Sequence, residues 1–251
     1  MKRADRLQRV LEALSASGTI DVTGIAHEFG VSTATVRRDL QLLEDQRLLS
    51  RTHGGAVSNG VMYELPLRYK TSQHQEAKRR IAVAAAERVS GGSAIGLTGG
   101  TTTTEVARAL AGRQLTVVTN ALNIGAELAV RPNLKLVLTG GVARTESYEL
   151  VGPLADASLT GLHLDTAFVG ADGIAPGAGL TTHHEVEAHT NRMLIERADR
   201  VVVVADSSKI GRIAFARICT LDQVDELITD EAADAAAATA LEQVGVQVTR
   251  V

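Results

Sequence analysis

Seven short runs rich in valine, isoleucine, leucine and threonine constrain the fold of this 251-residue chain more than any other feature. Helix-like segments separate several of them. Near-continuous apolar runs of this length are typical of strands covered on both faces, as in a mostly parallel sheet with helices on each side. An α/β fold is therefore predicted for most of the chain. The runs occupy residues 94–97, 115–119, 134–139, 166–169, 200–205, 226–229 and 246–249.

The first 57 residues follow a different pattern, that of three short helices and a hairpin. A second helix can be capped by Asp21 or Thr23, and a third by Ser32 or Thr33. The stretch LLSRTHGGAV at 48–57 has short apolar runs on either side of two glycines, which predicts a hairpin. The first helix carries its apolar residues at the spacing i, i+3, i+4, i+7, namely Leu7, Val10, Leu11 and Leu14.

The second and third of these helices fit a helix-turn-helix. Ala26 is small where two helices must approach closely, and Gly30 suits a turn that needs a positive φ. Val36 is apolar where the third helix packs back on the second. The remaining residues of this small predicted core are Ile25, Phe29, Val31 and Leu40.

The third helix and the hairpin carry side chains suited to DNA. Hydroxyls and backbone N–H groups at a helix start hold phosphates, and arginine reads guanine edges in the major groove. The alternative is an ordinary solvated surface, because residues 1–57 carry 8 Lys/Arg against 7 Asp/Glu, a weak footprint for nucleic acid. With the hairpin as a wing, the candidate DNA contacts are Ser32, Thr33, Thr35, Arg37, Arg38, Arg51 and His53.

A Gly/Thr loop at residues 98–103 follows the first predicted strand of the larger part. Gly99 and Gly100 permit close backbone approach, and a helix opens directly after them. Such a helix start offers N–H groups and a dipole to an anion, and hydroxyls add further donors. The alternative is a tight turn with capping threonines. The candidate phosphate-binding residues are Gly99, Gly100, Thr101, Thr102 and Thr103.

The stretch STATVRRDL at 32–40, with Arg6 before it and HGGAV after it, resembles the signature of the DeoR family of bacterial transcriptional regulators. The resemblance implies a repressor of carbohydrate genes that binds double-stranded operator DNA. It also implies a C-terminal sensor domain related to ribose-5-phosphate isomerase-like folds, a phosphorylated sugar as effector, and a homo-oligomer. SYELVGPLA and GLTTHHEVEAHTNRML resemble the amino-sugar branch of the family.

Further stretches similar to the family follow the ends of predicted strands, where ligands bind in α/β sheets. They add Asn120, Gly141, Asp172, Glu185 and Lys209 as candidate effector contacts. One departure concerns the loop, where the family usually carries Asp-Ser-Gly-Thr-Thr-Thr. Thr98 replaces the acidic residue, so we expect effector preference to differ there.

Other chemistries are less well supported. A sugar-phosphate isomerase carrying a DNA-binding domain is the alternative, in which Asp172, Glu185 and Lys209 supply the carboxylate base and the electrophile. His184 and His189 are five residues apart, one too many for the zinc-protease spacing, and no cofactor or metal is expected. Cys219 is the single cysteine, and we interpret it as a core residue.

The sequence also predicts domain organisation and setting. We expect a winged helix-turn-helix at 1–57, a linker at 58–73 and an α/β sensor and oligomerisation domain at 74–251. No apolar run approaches the roughly 18–20 residues of a spanning helix, and the charged start lacks a signal core, so we expect a cytoplasmic protein. Because one helix-turn-helix of nearly balanced charge binds weakly, a dimer or tetramer on repeated half-sites is expected.

Overall fold

A computed structural model describes residues 3–46, 48–58 and 64–251, which fall into two compact units, Met1–Leu65 and Pro66–Val251. The predicted boundaries at 57 and 73 stay a prediction. Part of the predicted linker, 59–63, lies outside the described residues, and a short helix, Leu67–Lys70, falls within the linker range. Among the described residues, no helix is both long and apolar enough to cross a membrane.

The N-terminal unit contains three helices and a small antiparallel sheet, as expected for a winged helix-turn-helix. Strands β2 (Ser50–Arg51) and β3 (Gly55–Val57) form the predicted hairpin. A further strand that was not predicted from the sequence, β1 (Thr19–Asp21), pairs with β3, so the sheet order is β1-β3-β2. Asp21 and Ser32 are the N-caps of the second and third helices. The elements are α1 (Arg3–Ser17), β1 (Thr19–Asp21), α2 (Val22–Phe29), α3 (Thr33–Asp45), β2 (Ser50–Arg51) and β3 (Gly55–Val57).

The core of this unit is formed by the predicted apolar stripes. Gly30 ends α2 with a φ of 64°, which confirms the predicted turn. Phe29 and Val31 are only half-buried, and Phe29 instead lies beneath the Arg9 guanidinium, 4.5 Å from it to the ring centroid. Fully or nearly fully buried are Leu7, Val10, Leu11, Leu14, Ile25, Ala26, Val36, Leu40 and Leu43.

The C-terminal unit is built on a sheet of seven parallel strands, and each arises from one of the seven predicted runs. These strands are β4 (Ala94–Leu97), β5 (Leu115–Thr119), β6 (Leu134–Leu138), β9 (Thr166–Val169), β12 (Val201–Val204), β14 (Glu226–Thr229) and β15 (Gln247–Arg250). Their order is β15-β14-β12-β9-β4-β5-β6. The chain therefore proceeds outward in opposite directions from the β9/β4 pair, which makes this pair the topological switch point.

Alternate residues of the strands contribute to two apolar clusters, one on each face of the sheet. Val202 and Val204 belong to the first cluster, and Val201 and Val203 to the second. The first cluster contains residues of α5 (Gln75–Ala86), α6 (Thr101–Leu110) and α7 (Leu122–Leu128). The second contains residues of α8 (Pro153–Leu159), α9 (Glu185–Ile195) and α10 (Ala235–Glu242). The α4 helix (Leu67–Lys70) precedes them all.

Two small sheets were not predicted from the sequence. An antiparallel pair, β7 (Val142–Ala143) and β8 (Leu150–Val151), follows the β6 edge of the large sheet. A three-stranded sheet, β10 (Gly173–Ala175), β11 (Gly179–Thr182) and β13 (Ala216–Cys219), contributes to the second cluster. Cys219 is buried in it, as predicted for a core residue.

Candidate functional sites

The polar face of α3 presents the two adjacent arginines to solvent. Arg37 and Arg38 are both exposed, one turn after the helix start. The Ser32 hydroxyl accepts a hydrogen bond from the Thr35 backbone N–H at 3.2 Å, so Ser32 caps the helix while remaining exposed. Thr33 is exposed and Thr35 is half-buried. The start of α3 is thus free of apolar cover and open to a polyanion.

The two candidate contacts on the wing differ. His53 is exposed in the turn between β2 and β3. The Arg51 backbone N–H donates to Glu44 Oε1 at 2.9 Å, and its guanidinium donates to Gln41 Oε1. Arg51 is therefore held against the C-terminal half of α3, and a DNA contact by this side chain requires it to leave these partners.

A buried ion pair fixes α3 to α1. Arg6 Nε donates to Asp39 Oδ2 at 2.5 Å, Arg3 lies 3.5 Å from Oδ1, and both Arg6 and Asp39 are buried. The hydrogen bond to Asp39 raises the pKa of Arg6. Asp39 was not predicted from the sequence, although it occupies a position of the apolar stripe formed by Val36 and Leu40.

In the C-terminal unit, the candidate effector residues gather at one edge of the large sheet. The Gly/Thr loop follows β4, and loops bearing four further candidates follow β5, β6, β9 and β12. These five strands are neighbours in the sheet and run parallel, so their carboxyl ends meet at the same edge. Those four candidates are Asn120, Gly141, Asp172 and Lys209. Glu185 instead begins α9, and its side chain is 67% exposed.

The loops after β4 and β9 are joined at the switch point by Thr98. Its hydroxyl accepts a hydrogen bond from Gly170 N at 3.0 Å, and Thr98 is fully buried. Gly100 follows with a φ of 132°, a conformation that favours glycine, and it is the N-cap of α6. Thr98 thus holds the base of the Gly/Thr loop. The carboxyl group of Glu149, which was not predicted from the sequence, lies against Gly99 of this loop.

The three candidate threonines have different surroundings. Thr103 is fully buried, and its hydroxyl donates to Gly100 O at 3.0 Å. Thr101 is half-buried and Thr102 is 7% exposed. Among the described residues, neither of their hydroxyls has a hydrogen-bond partner. The first turn of α6 therefore retains donors for an anion on the backbone and on Thr101 and Thr102.

Two lysines converge on Asp172. Lys70 Nζ lies 3.0 Å and Lys209 Nζ 3.6 Å from Asp172 Oδ1, and Thr182 donates to Oδ2 at 3.2 Å. Burial raises the pKa of Asp172, but the charges of Lys70, Lys209 and His183 outweigh it and hold that pKa well below the usual range. Asp172 therefore forms ion pairs with Lys70 and Lys209 and can orient both ammonium groups.

A third lysine, Lys78, is the least expected member of this cluster. It is 3% exposed and lies on the inner face of α5, with its Nζ donating to Lys70 O at 3.0 Å and Gln73 O at 2.6 Å. Burial lowers its pKa to about 8, and the charge of Asp206 opposes that shift. The signal was available in the sequence, because Lys78 shares a helical stripe with Ile81, Ala82 and Ala85.

Asn120 and Gly141 lie toward the β5–β6 side of the same edge. Asn120 is fully buried, and its Nδ2 donates to Glu149 Oε2 at 3.2 Å and Asn191 Oδ1 at 3.1 Å. Gly141 packs against the backbone of Val151 in β8. Among the described residues, no group of three or more His, Cys, Asp or Glu side chains is placed to hold a metal ion.

Two domain families match the chain. The DeoR-like helix-turn-helix domain matches residues 6–60, and the DeoR C terminal sensor domain matches residues 73–231.

Individual relatives extend over nearly the whole chain. The HTH-type transcriptional regulator GlpR of Haloferax volcanii is 38% identical over 99% of this chain and 98% of its own length. The putative aga operon transcriptional repressor of Escherichia coli O157:H7 is 34% identical over 98% and 93%. The glycerol-3-phosphate regulon repressor of Escherichia coli K12 is 32% identical over 92% of each chain. Among solved structures, ribose 5-phosphate isomerase A of Methanocaldococcus jannaschii covers 55% of each chain at 21% identity with a TM-score of 0.41.

Proposed function

Because the chain belongs to the DeoR family, we propose that it is a cytoplasmic transcriptional repressor that binds operator DNA through α3 and senses a phosphorylated sugar. The observation that carries the effector part is the placement of the Gly/Thr loop. It lies at the switch point of a parallel sheet, and the same sheet edge carries Lys209. Ligands of α/β sheets bind at such points, and an anion is favoured by the α6 N-terminus.

DNA binding is proposed for Arg37 and Arg38, with Ser32, Thr33, Thr35 and His53 contacting the backbone. Exposure of both arginines on one turn of a capped helix supports this assignment. Arg51 would join them only after leaving Gln41 and Glu44.

The phosphate of the effector is proposed to contact the first turn of α6 and Lys209. Lys70 and Lys78 are added to the candidates, because three lysines around Asp172 and Asp206 leave the cluster with an excess of positive charge. That excess favours a dianionic phosphate. A ligand with unequal affinity for two arrangements of the chain then shifts their populations, which is the requirement for regulation.

A homo-oligomer, dimer or tetramer, is proposed for the DNA-binding form. Two exposed apolar side chains support association through the C-terminal unit, namely Val142 in β7, 70% exposed, and Leu154 in α8, 69% exposed. Light scattering of the V142D/L154D variant against wild type tests it, and an unchanged mass would contradict this surface.

The two carboxyl groups predicted for the isomerase alternative, Asp172 and Glu185, are poorly suited to it. Enolisation of a sugar needs a carboxylate base that accepts a proton near neutral pH. Lys70, Lys209 and His183 hold Asp172 ionised to low pH, and Glu185 is exposed to solvent. The relatives reported above are named as transcriptional regulators.

A thermal-shift screen with phosphorylated sugars and their unphosphorylated parents tests the effector assignment. A ligand of the folded state raises the unfolding midpoint by mass action. We expect a response to one or more phosphorylated sugars that is lost in Lys209→Ala and kept in Lys135→Ala, an exposed lysine on β6. A response to unphosphorylated sugars alone would contradict the phosphate site.

A further inference from the structure

The carboxyl group of Glu149 lies directly against the backbone of the Gly/Thr loop. A Cβ atom placed on Gly99 would lie 2.2 Å from Glu149 Oε1, 2.4 Å from its Cγ and 2.7 Å from its Cδ. No side chain tolerates such distances, so Gly99 leaves room for this carboxyl group. Glu149 reaches the loop from the residue before β8, a part of the chain that the phosphate assignment does not use.

The amide of Asn120 is the second component. It follows β5, the neighbour of β4, and donates to Glu149 Oε2 at 3.2 Å. Its Oδ1 is buried, and among the described residues it has no hydrogen-bond partner. A buried amide oxygen without a partner is costly, and such an atom beside a ligand site is readily explained by a donor that arrives with the ligand.

We propose that Glu149 is an effector-contacting residue which, with Asn120, recognises hydroxyl groups of the sugar while the start of α6 holds the phosphate. This inference rests on the proposed function, because it assigns the second end of the same ligand. A sugar hydroxyl both donates and accepts, so it can donate to Asn120 Oδ1 and exchange a hydrogen bond with the Glu149 carboxyl group. Glu149 then sets which hydroxyl pattern is accepted.

The surroundings of Glu149 suit a carboxyl group beside an anion. Burial and the nearby charge of Glu187 on α9 raise its pKa well above the ordinary value, while the amides of Asn191 and Asn120 and the charge of Arg144 act against them. A protonated carboxyl group does not repel a phosphate. It also donates a hydrogen bond that a carboxylate lacks.

A purely structural role makes a different prediction. If Glu149 only fills space behind the loop, its removal weakens every ligand of the loop equally. If it contacts the sugar, its removal weakens hydroxyl-bearing phosphates and spares inorganic phosphate. The ratio of the two affinities therefore separates the roles.

The test uses the full chain and thermal-shift titrations with inorganic phosphate and a panel of pentose and hexose phosphates. For the best sugar phosphate, we expect Glu149→Ala to weaken affinity about tenfold, the loss of roughly one hydrogen bond. Its affinity for inorganic phosphate should change less than about twofold. Glu149→Gln, which keeps a neutral donor and acceptor, should restore most of the sugar-phosphate affinity. Glu226→Gln is the matched control, since Glu226 is fully buried but begins β14, at the opposite end of the sheet from the site.

Two further results keep the inference separable from the proposed function. Gly99→Ala displaces the carboxyl group while leaving Glu149 in the chain, so it should weaken the affinity for sugar phosphate more than the affinity for inorganic phosphate. This variant replaces Glu149→Ala in the test if Glu149→Ala does not fold. Equal losses for inorganic phosphate and sugar phosphate, or no loss, would overturn the inference alone. Absence of any response to phosphorylated ligands by wild type would overturn the effector part of the proposed function, and the inference with it.

Discussion

Asp39 in the N-terminal unit and Glu149 in the C-terminal unit are both buried next to a candidate site, and these two carboxyl groups have different partners. In the N-terminal unit, Asp39 faces the guanidinium groups of Arg6 and Arg3. In the C-terminal unit, Glu149 faces the Asn120 amide, and burial together with the nearby charge of Glu187 raises its pKa. The first carboxylate is matched by cations within its own unit and contributes to folding. The second has neutral partners and retains hydrogen-bonding capacity for a ligand.

The largest expected effect tests the first half of this comparison. Asp39→Ala leaves Arg6 buried without its carboxylate, which should cost about 3–5 kcal/mol of the unfolding free energy of the N-terminal unit. Hydrogen exchange of the amides of α1 and α3 measures it. The double variant R6M/D39L should lose less, and Asp45→Ala, on the exposed end of α3, should lose little. Equal protection of these amides from exchange in Asp39→Ala and Asp45→Ala would show that Asp39 does not stabilise the fold, and its contrast with Glu149 would be lost.

The next largest effect concerns α3, the helix that the Arg6–Asp39 ion pair attaches to α1. Arg37→Ala with Arg38→Ala should weaken operator binding about a hundredfold while leaving the fold intact, because each base contact by arginine contributes roughly 1–3 kcal/mol. Gel-shift titration at fixed salt measures it. The matched control is Arg79→Ala with Arg80→Ala, an adjacent pair on α5 that is also exposed. Undiminished specific binding by the Arg37/Arg38 variant would show that α3 is not the reading helix.

A smaller effect, on the pH dependence of stability, tests the surroundings of Glu149. The pKa of Glu149 is raised in the folded chain, so both states are protonated below its ordinary value of 4.5. As the pH rises from there, the unfolded chain releases this proton first, and wild-type stability falls until the raised pKa is passed. Glu149→Gln lacks this loss.

Its unfolding midpoint should therefore rise relative to that of wild type as the pH increases from 5 to 8. Calorimetry across that range measures it, with Glu226→Gln as control. Arg88 lowers the pKa of Glu226, so this carboxyl group is ionised in both states above pH 5 and the difference from wild type should stay constant there. A constant difference for Glu149→Gln as well would mean that Glu149 is ionised throughout, with Arg144 outweighing burial and Glu187.

The smallest effect separates a cap from a DNA contact. Ser32→Ala removes the hydroxyl that accepts from Thr35 N, which should cost about 1 kcal/mol of stability, whereas Ser32→Gly should cost only a few tenths. Thr33→Ala, one residue later and also exposed, is the control. Urea unfolding measures stability and gel shift measures binding. Loss of DNA binding without loss of stability in Ser32→Ala would show that Ser32 contacts a DNA phosphate and contributes little to stability as a helix cap.

The sequence predicted the regular parts of the molecule well, for a physical reason. Five of the seven strands of the parallel sheet are buried along nearly their whole length, so each is a short run rich in apolar residues. The edge strands β6 and β15 are more exposed and carry polar residues. The helices of the N-terminal unit have apolar stripes and clear caps. Strands β7, β8 and β10 have two or three residues each, too few for periodicity to identify.

The site was only partly predictable. Loops after strand ends were found because the chain order of strands and glycines marks them. Lys78 and Asp39 were missed although each interrupts an apolar stripe, and such an interruption is itself a signal of a buried charge. Glu149 was missed because it reaches Gly99 across 50 residues of sequence, and no local pattern reports a contact of that separation.

The contact between Gly99 and Glu149 has a consequence for altering the specificity of this protein. The two positions occupy one space, so a side chain at 99 requires a shorter residue at 149. A library that randomises either position alone will consist mainly of clashes or of cavities. The two positions should therefore be varied together. Variants with a larger side chain at position 99 and a shorter one at position 149 are the ones in which we expect new sugar specificities.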